Sequence, residues 1–186
     1  MGDEAVAAIT IATTIQDIVV VLFQGLSAAT AVILGNELGA GKIKRAEKYA
    51  TQFFILQFIV TIASAFVVIG IRGPLIGLYN ITEAVGRDVN ICILIFACYM
   101  PAKMFNYVNV VGVLRSGGDT KMCLFLDTSG VWCIGVPLAF LGALVWHLPI
   151  YVVYGLVMLE EVYKAVLGYI RYRQKKWLRN LTVQVR

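Results

Sequence analysis

Charge is scarce in this chain: Asp, Glu, Lys and Arg make up 15% of its 186 residues, 60% are hydrophobic and the mean hydropathy is +0.81. Soluble domains of this size do not combine so little charge with so much apolar surface, so the composition identifies an integral membrane protein. Histidine occurs once, as His147, which leaves no second histidine for a metal site. Cys92, Cys98, Cys123 and Cys133 all lie inside apolar runs and form no Cys-x-x-Cys pair. They are expected to be buried packing residues that imply neither disulfide nor metal. Neither a Gly-x-Ser-x-Gly elbow, a His-Glu-x-x-His pair nor a Walker loop occurs, and without a nucleophile and base an enzyme is not expected. The Gly-Ala-Gly and Ser-Gly-Gly-Asp glycines follow no strand, so they read as short turns and not as phosphate loops. No cleavable signal peptide is visible, because residues 1–4 are acidic where a basic region would be required.

What the chain does contain is organised around residues 25–46. An apolar helix closes there with small residues, breaks at Gly39 and Gly41, and is followed by Lys42, Lys44, Arg45 and Lys48. A glycine stop before a basic run marks the cytoplasmic end of a membrane helix. Twelve of the 16 basic residues fall in three such clusters, at 42–48, at Arg115 with Lys121, and at 171–186. The net charge of +5 is therefore topological, and no nucleic-acid partner is implied. Five spans, at 5–38, 46–70, 89–114, 120–145 and 149–170, are long enough for a bilayer core that needs about 20 apolar residues. Arg72, Glu83, Arg87 and Asp88 occupy linkers on the side opposite the basic clusters. The expected fold is an all-α membrane bundle of five transmembrane helices in a cell membrane, N-terminus outside, with a basic cytoplasmic tail at 171–186. Short connections at 115–119 and 146–148 make consecutive helices antiparallel neighbours.

The polar residues inside these spans carry the functional content. In the first span Thr10, Thr13, Thr14, Asp17 and Gln24 share an arc of about 100°, continued by Ala28, Ala31 and Gly35, so this face should look into the bundle or a wet cavity. At roughly 51 Å the first helix exceeds a core of about 30 Å and must tilt, bend or project, with Gly25 the expected bend. The second span, whose polar exceptions are Gln52 and Gln57, reads as peripheral and lipid-facing. Pro101 favours a kink in the third span just before Lys103, Asn106 and Tyr107, a combination that suits a substrate pathway. Lys103 alternatively pairs with an acid on a neighbouring helix. The fourth span holds Asp127, Trp132 and Pro137. The fifth opens at Pro149 and carries Glu160, Glu161 and Lys164 on one arc, with Glu160 and Lys164 at i,i+4 spacing. His147 beside Trp146 reads as interfacial.

Each mid-membrane charge costs about 2.5 to 3.5 kcal/mol on insertion scales, so Asp17, Lys103, Asp127, Glu160, Glu161 and Lys164 either pair or work. Four acids against two bases leave surplus carboxylates, as a proton or sodium site requires. Asp17 lies about 18 Å along its helix, where its carboxyl can exchange a proton, or where threonine hydroxyls and Gln24 can add oxygens for Na⁺. Asp17 alternatively neutralises Lys103 or Lys164.

The runs Gly25-Leu-Ser-Ala-Ala-Thr-Ala-Val-Ile-Leu-Gly-Asn-Glu-Leu-Gly-Ala-Gly-Lys42, Val113-Leu-Arg-Ser-Gly-Gly-Asp-Thr-Lys121 and Val131-Trp-Cys-Ile-Gly-Val-Pro137, in this order and spacing, resemble the C-terminal half of multidrug and toxic compound extrusion (MATE) transporters. The resemblance extends to the tail Lys175-Lys-Trp-Leu-Arg-Asn-Leu181. It implies a twelve-helix, two-lobed antiporter exporting small cationic or amphiphilic substrates against H⁺ or Na⁺, with no cofactor beyond that coupling ion. Residues 1–186 would form part of the C-terminal lobe, helices eight to twelve, and the N-terminal lobe would be its partner. Lys103 stands where some family members carry an acid. A lipid-linked oligosaccharide flippase of the same superfamily, or a non-transporting membrane scaffold, are the alternatives.

Overall fold

Helices account for nearly all of the computed structural model, which describes residues 3–179. Five rods follow one another: α1 Asp3–Gly39, α2 Ile43–Gly77, α3 Glu83–Leu114, α4 Thr120–Val145 and α5 Ile150–Arg173. No strand occurs among the described residues. The first four are long and apolar enough to cross a bilayer. α5 has 24 residues but carries Glu160, Glu161 and Lys164 in its middle, which lowers its apolarity without shortening it. The chain is an all-α, multi-pass membrane protein. α1 runs unbroken through Gly25 for 37 residues, about 55 Å at the α-helical rise.

The structure moves two boundaries. α2 continues to Gly77, beyond the expected end at 70, and α3 begins at Glu83, ahead of the expected 89. Arg72, Glu83, Arg87 and Asp88 are thus helical residues, and only 78–82 connect the two rods. Pro74 is tolerated inside α2 because the residue before it is Gly73, which has no Cβ to meet the proline ring. Thr82 caps α3, its hydroxyl accepting from the Val85 amide at 3.4 Å, and Glu83 puts a negative charge in the first turn.

Pro101 and Pro137 do not end their helices. The chain instead changes pitch nearby, with π-helical turns at Tyr107–Leu114 in α3 and at Val131–Gly135 and Leu141–Val145 in α4. Proline removes a donor and crowds the carbonyl four residues back; the turn at Val131–Gly135 covers that stretch before Pro137, whereas Pro101 lies in regular α-helix ahead of the turn in α3.

α3 is the central rod and packs against α1, α2 and α5. One apolar cluster joins Ala8, Ile11, Phe23, Val89, Phe96 and Met100; a second, at the basic end, joins Leu34, Leu38, Val113, Leu114, Leu126 and Trp177. At Gly112 an added Cβ would lie 3.0 Å from the Thr30 side chain, so the glycine permits the close approach of α1 and α3. α2 is peripheral as expected, presenting Phe58, Ile59, Phe66 and Val67 outward, although Gln57 is buried and donates to Thr61 at 3.0 Å.

Ion pairs gather the three basic clusters at one end: Arg171 Nη2 donates to Asp119 Oδ1 at 2.9 Å, and Lys175 pairs with Glu47. Trp177 is fully buried there, stacked on Tyr172 with ring centroids 5.7 Å apart. Of the expected basic tail 171–186, residues 180–186 lie outside the described residues. His147 is exposed at the α4–α5 turn with φ 49°. Cys92 and Cys123 are buried, but Cys98 and Cys133 are exposed free thiols, correcting the expectation that all four are packed inside. In a membrane helix the lipid face is as apolar as the core, so an apolar neighbourhood does not reveal which way a small residue points.

Candidate functional site

Five polar residues from α3 and α5 meet inside the bundle. The Lys103 Nζ lies 3.3 Å from Glu161 Oε1, and the Lys164 Nζ lies 3.4 Å from both Glu160 Oε1 and Glu161 Oε2. Asn106 donates through Nδ2 to Glu161 Oε2 and to the Glu161 backbone carbonyl, both at 2.8 Å. All four charged side chains are at most 15% exposed. Two acids and two bases therefore neutralise one another where solvent does not, which is how buried charges are retained. The i,i+4 pair of Glu160 with Lys164 was legible from spacing, and Lys103 both pairs with an acid on a neighbouring helix and lines the adjoining cavity.

The backbone of α4 makes room for this network. An added Cβ at Gly135 would stand 2.4 Å from Glu160 Oε2, and one at Gly130 would stand 3.0 Å from the Lys164 Cγ and Cδ. Both glycines border the π-helical turn at Val131–Gly135, so charged side chains of α5 lie directly on the α4 main chain.

A cavity of about 230 Å³ opens beside the network, lined by Lys103, Asn106, Tyr107, Asp127, Glu161 and Lys164 with Val110 and Val111. That volume has room for several water molecules or a partly hydrated ion. Asp127 is exposed at this cavity and acts electrostatically on Lys164. Among the described residues neither Asp127 nor Asp17 has an ion-pair partner.

Asp17 and Gln24 lie on an exposed face of α1 with Thr10 and Thr14, while the buried side of that helix runs through Ile11, Ile15, Phe23, Ser27, Thr30 and Leu34. Within the described residues, then, this stripe faces away from the helix core. The Thr10 and Thr14 hydroxyls donate to the carbonyls of Val6 and Thr10, each at 2.8 Å, which satisfies their hydrogens and leaves oxygen lone pairs outward. The alternative in which Asp17 neutralises Lys103 or Lys164 is not what forms: those lysines hold Glu161 and Glu160.

The buried amides of Gln16 and Asn109 are not among the residues that the sequence pattern singles out. Gln16 is 8% exposed and accepts from the Tyr154 hydroxyl at 2.7 Å, joining α1 to α5. Asn109 is fully buried, and neither of its amide atoms finds a hydrogen-bond partner among the described residues. Its position three residues after Asn106 placed it on the same helix face, a signal the sequence offered.

The sequence model of the MatE family matches residues 1–141. The uncharacterized transporter YisQ of Bacillus subtilis (strain 168) is 20% identical over 178 residues, which cover 96% of this chain and 39% of that protein. Multidrug resistance protein MdtK of Yersinia pseudotuberculosis serotype O:1b (strain IP 31758) is 28% identical over 143 residues, 76% of this chain and 31% of the relative. MdtK of Yersinia pestis (strain Pestoides F) matches with the same identity and coverage. The chain spans well under half the length of these relatives.

Proposed function

Given that this chain belongs to the MatE family, we propose that it forms part of a secondary-active antiporter that exports organic cations or drugs in exchange for H⁺ or Na⁺. The observation that carries this reading is a pair of carboxylates without ion-pair partners among the described residues of an otherwise apolar bundle, Asp127 lining the polar cavity and Asp17 on the exposed face of α1. A carboxylate that the protein does not neutralise is available to an exchangeable cation, whereas Glu160 and Glu161 are occupied by lysines. Asp17, Gln24 and the threonine oxygens of α1 form the coupling face, and Asp127 with Tyr107 lines the route behind it. In a two-lobed transporter this exposed face is the surface that would meet the other lobe, as alternating access between two lobes requires. The basic end is cytoplasmic by the positive-inside rule, and the substrate is small, cationic or amphiphilic.

The flippase reading is weaker, because an anionic lipid-linked sugar calls for free cationic groups in the cavity and both lysines there are paired. Gradient-driven efflux in proteoliposomes of the two-lobed protein tests the antiport reading. Asp17→Asn is expected to keep the protein folded and to abolish the dependence of efflux on the H⁺ or Na⁺ gradient. Unchanged gradient-driven efflux with the same pH profile would remove Asp17 from the coupling face.

A further inference from the structure

A second site lies at the basic end, between α1 and α2 and away from the charged network. The positive φ of Gly41, 72°, folds α2 back on α1, so that Tyr49 and Phe53, one turn apart, face Glu37 in the last turn of α1. Between them is a cleft of about 550 Å³, whose lining includes Asn36, Glu37, Tyr49, Gln52, Phe53 and Leu56. This is the size of a small-molecule site. Glu37 Oε2 is shielded from solvent and has no hydrogen-bond partner among the described residues. Its nearest cation, Arg45 Nε, stands 3.8 Å away, too far to donate, and the Arg45 guanidinium instead donates to the Tyr49 hydroxyl at 3.3 Å. The Arg45 side chain is 57% exposed, so its charge is largely spent on water. The Glu37 side chain thus lines a cleft walled by two aromatic rings and two side-chain amides, with a guanidinium nearby that does not hydrogen-bond to its unpaired oxygen. Aromatic faces and a carboxylate together recognise a cationic nitrogen carried on an apolar body.

We propose that this cleft binds an amphiphilic organic cation at the membrane interface, with its nitrogen at Glu37 and its apolar body against Tyr49, Phe53 and Leu56. Two sources share this chemistry: a soluble cationic drug and the ammonium headgroup of an aminophospholipid. Treating the bound cation as cargo rests on the transport proposal; the binding itself does not, and it is measurable on the 186-residue chain with no efflux assay.

The test is ethidium fluorescence anisotropy with that chain in phosphatidylglycerol nanodiscs, corrected for empty discs. Glu37→Gln is expected to weaken binding by about tenfold, and Arg45→Gln, which removes the competing guanidinium, to tighten it by about threefold. A misfolded variant cannot produce the tightening, so the opposite signs separate site chemistry from loss of structure. Adding phosphatidylethanolamine to the discs distinguishes the sources: competition that disappears in Glu37→Gln assigns the lipid headgroup, and no competition assigns the soluble cation. Absence of ethidium binding by the unaltered chain, or Glu37→Gln binding within about twofold of it, overturns the proposal.

Discussion

Glu161 holds two ammonium groups and one amide at once, with Lys103 and Lys164 on its two oxygens and Asn106 on both its side chain and its carbonyl. Replacing it leaves Lys164 with Glu160 alone and strips Lys103 of its one ion-pair partner among the described residues. Glu161→Gln is therefore expected to cost about 3 kcal/mol, the scale for breaking a buried pair from one side, read as a lower thermal midpoint in detergent. Adding Lys103→Met removes the stranded charge, so the double variant should be more stable than the sum of the two single losses predicts. Additive losses would mean that the two residues do not act on each other. The chemistry of these residues was readable from the sequence, since a charge inside an apolar run must pair or work. Beyond the Glu160–Lys164 spacing, which charges pair was not readable. Asp17 and Lys103 sit in helices other than α5, and only the packing of α3 on α5 brings Lys103 to Glu161.

At the level of elements, glycines determine how closely the rods approach. Gly117, in the α3–α4 turn, lies so close to the tail that an added Cβ would stand 1.7 Å from the Trp177 carbonyl oxygen. Backbone cannot yield at that distance, so Gly117→Ala must displace the segment that carries Trp177. The expected result is faster trypsin cleavage after Lys175 and Lys176, together with increased solvent quenching of Trp177 fluorescence in a variant lacking Trp132 and Trp146. Unaltered cleavage would show that the tail does not seat on the turn. The boundary errors belong to this scale as well. Hydropathy falls at Arg72 and at Glu83 to Asp88, but the helical hydrogen bonds continue through both, because Gly73 admits Pro74 and Thr82 caps α3. The π-helical turns were equally hidden: proline marks where a helix is stressed, while its neighbours decide whether it kinks, ends or widens.

For the whole molecule, the ion pairs of Arg171 with Asp119 and Lys175 with Glu47 draw three basic clusters to one end, and the positive-inside rule is the ground for proposing that this end faces the cytoplasm. In a background without Cys98 and Cys133, whose thiols are exposed, Lys44→Cys should react with a membrane-impermeant maleimide only after permeabilisation, and Glu83→Cys before it. Labelling of both from the same side would reject this topology. Composition and periodicity by themselves determined that the protein is an all-α membrane bundle, where its basic turns lie and which residues are too polar for lipid, because the bilayer imposes those rules on every span independently. Tertiary structure alone decided that four of the six internal charges neutralise one another while Asp17 and Asp127 do not. Ion pairing and cleft formation depend on distances between helices, and those are set by glycine contacts and π-helical turns that no single span encodes.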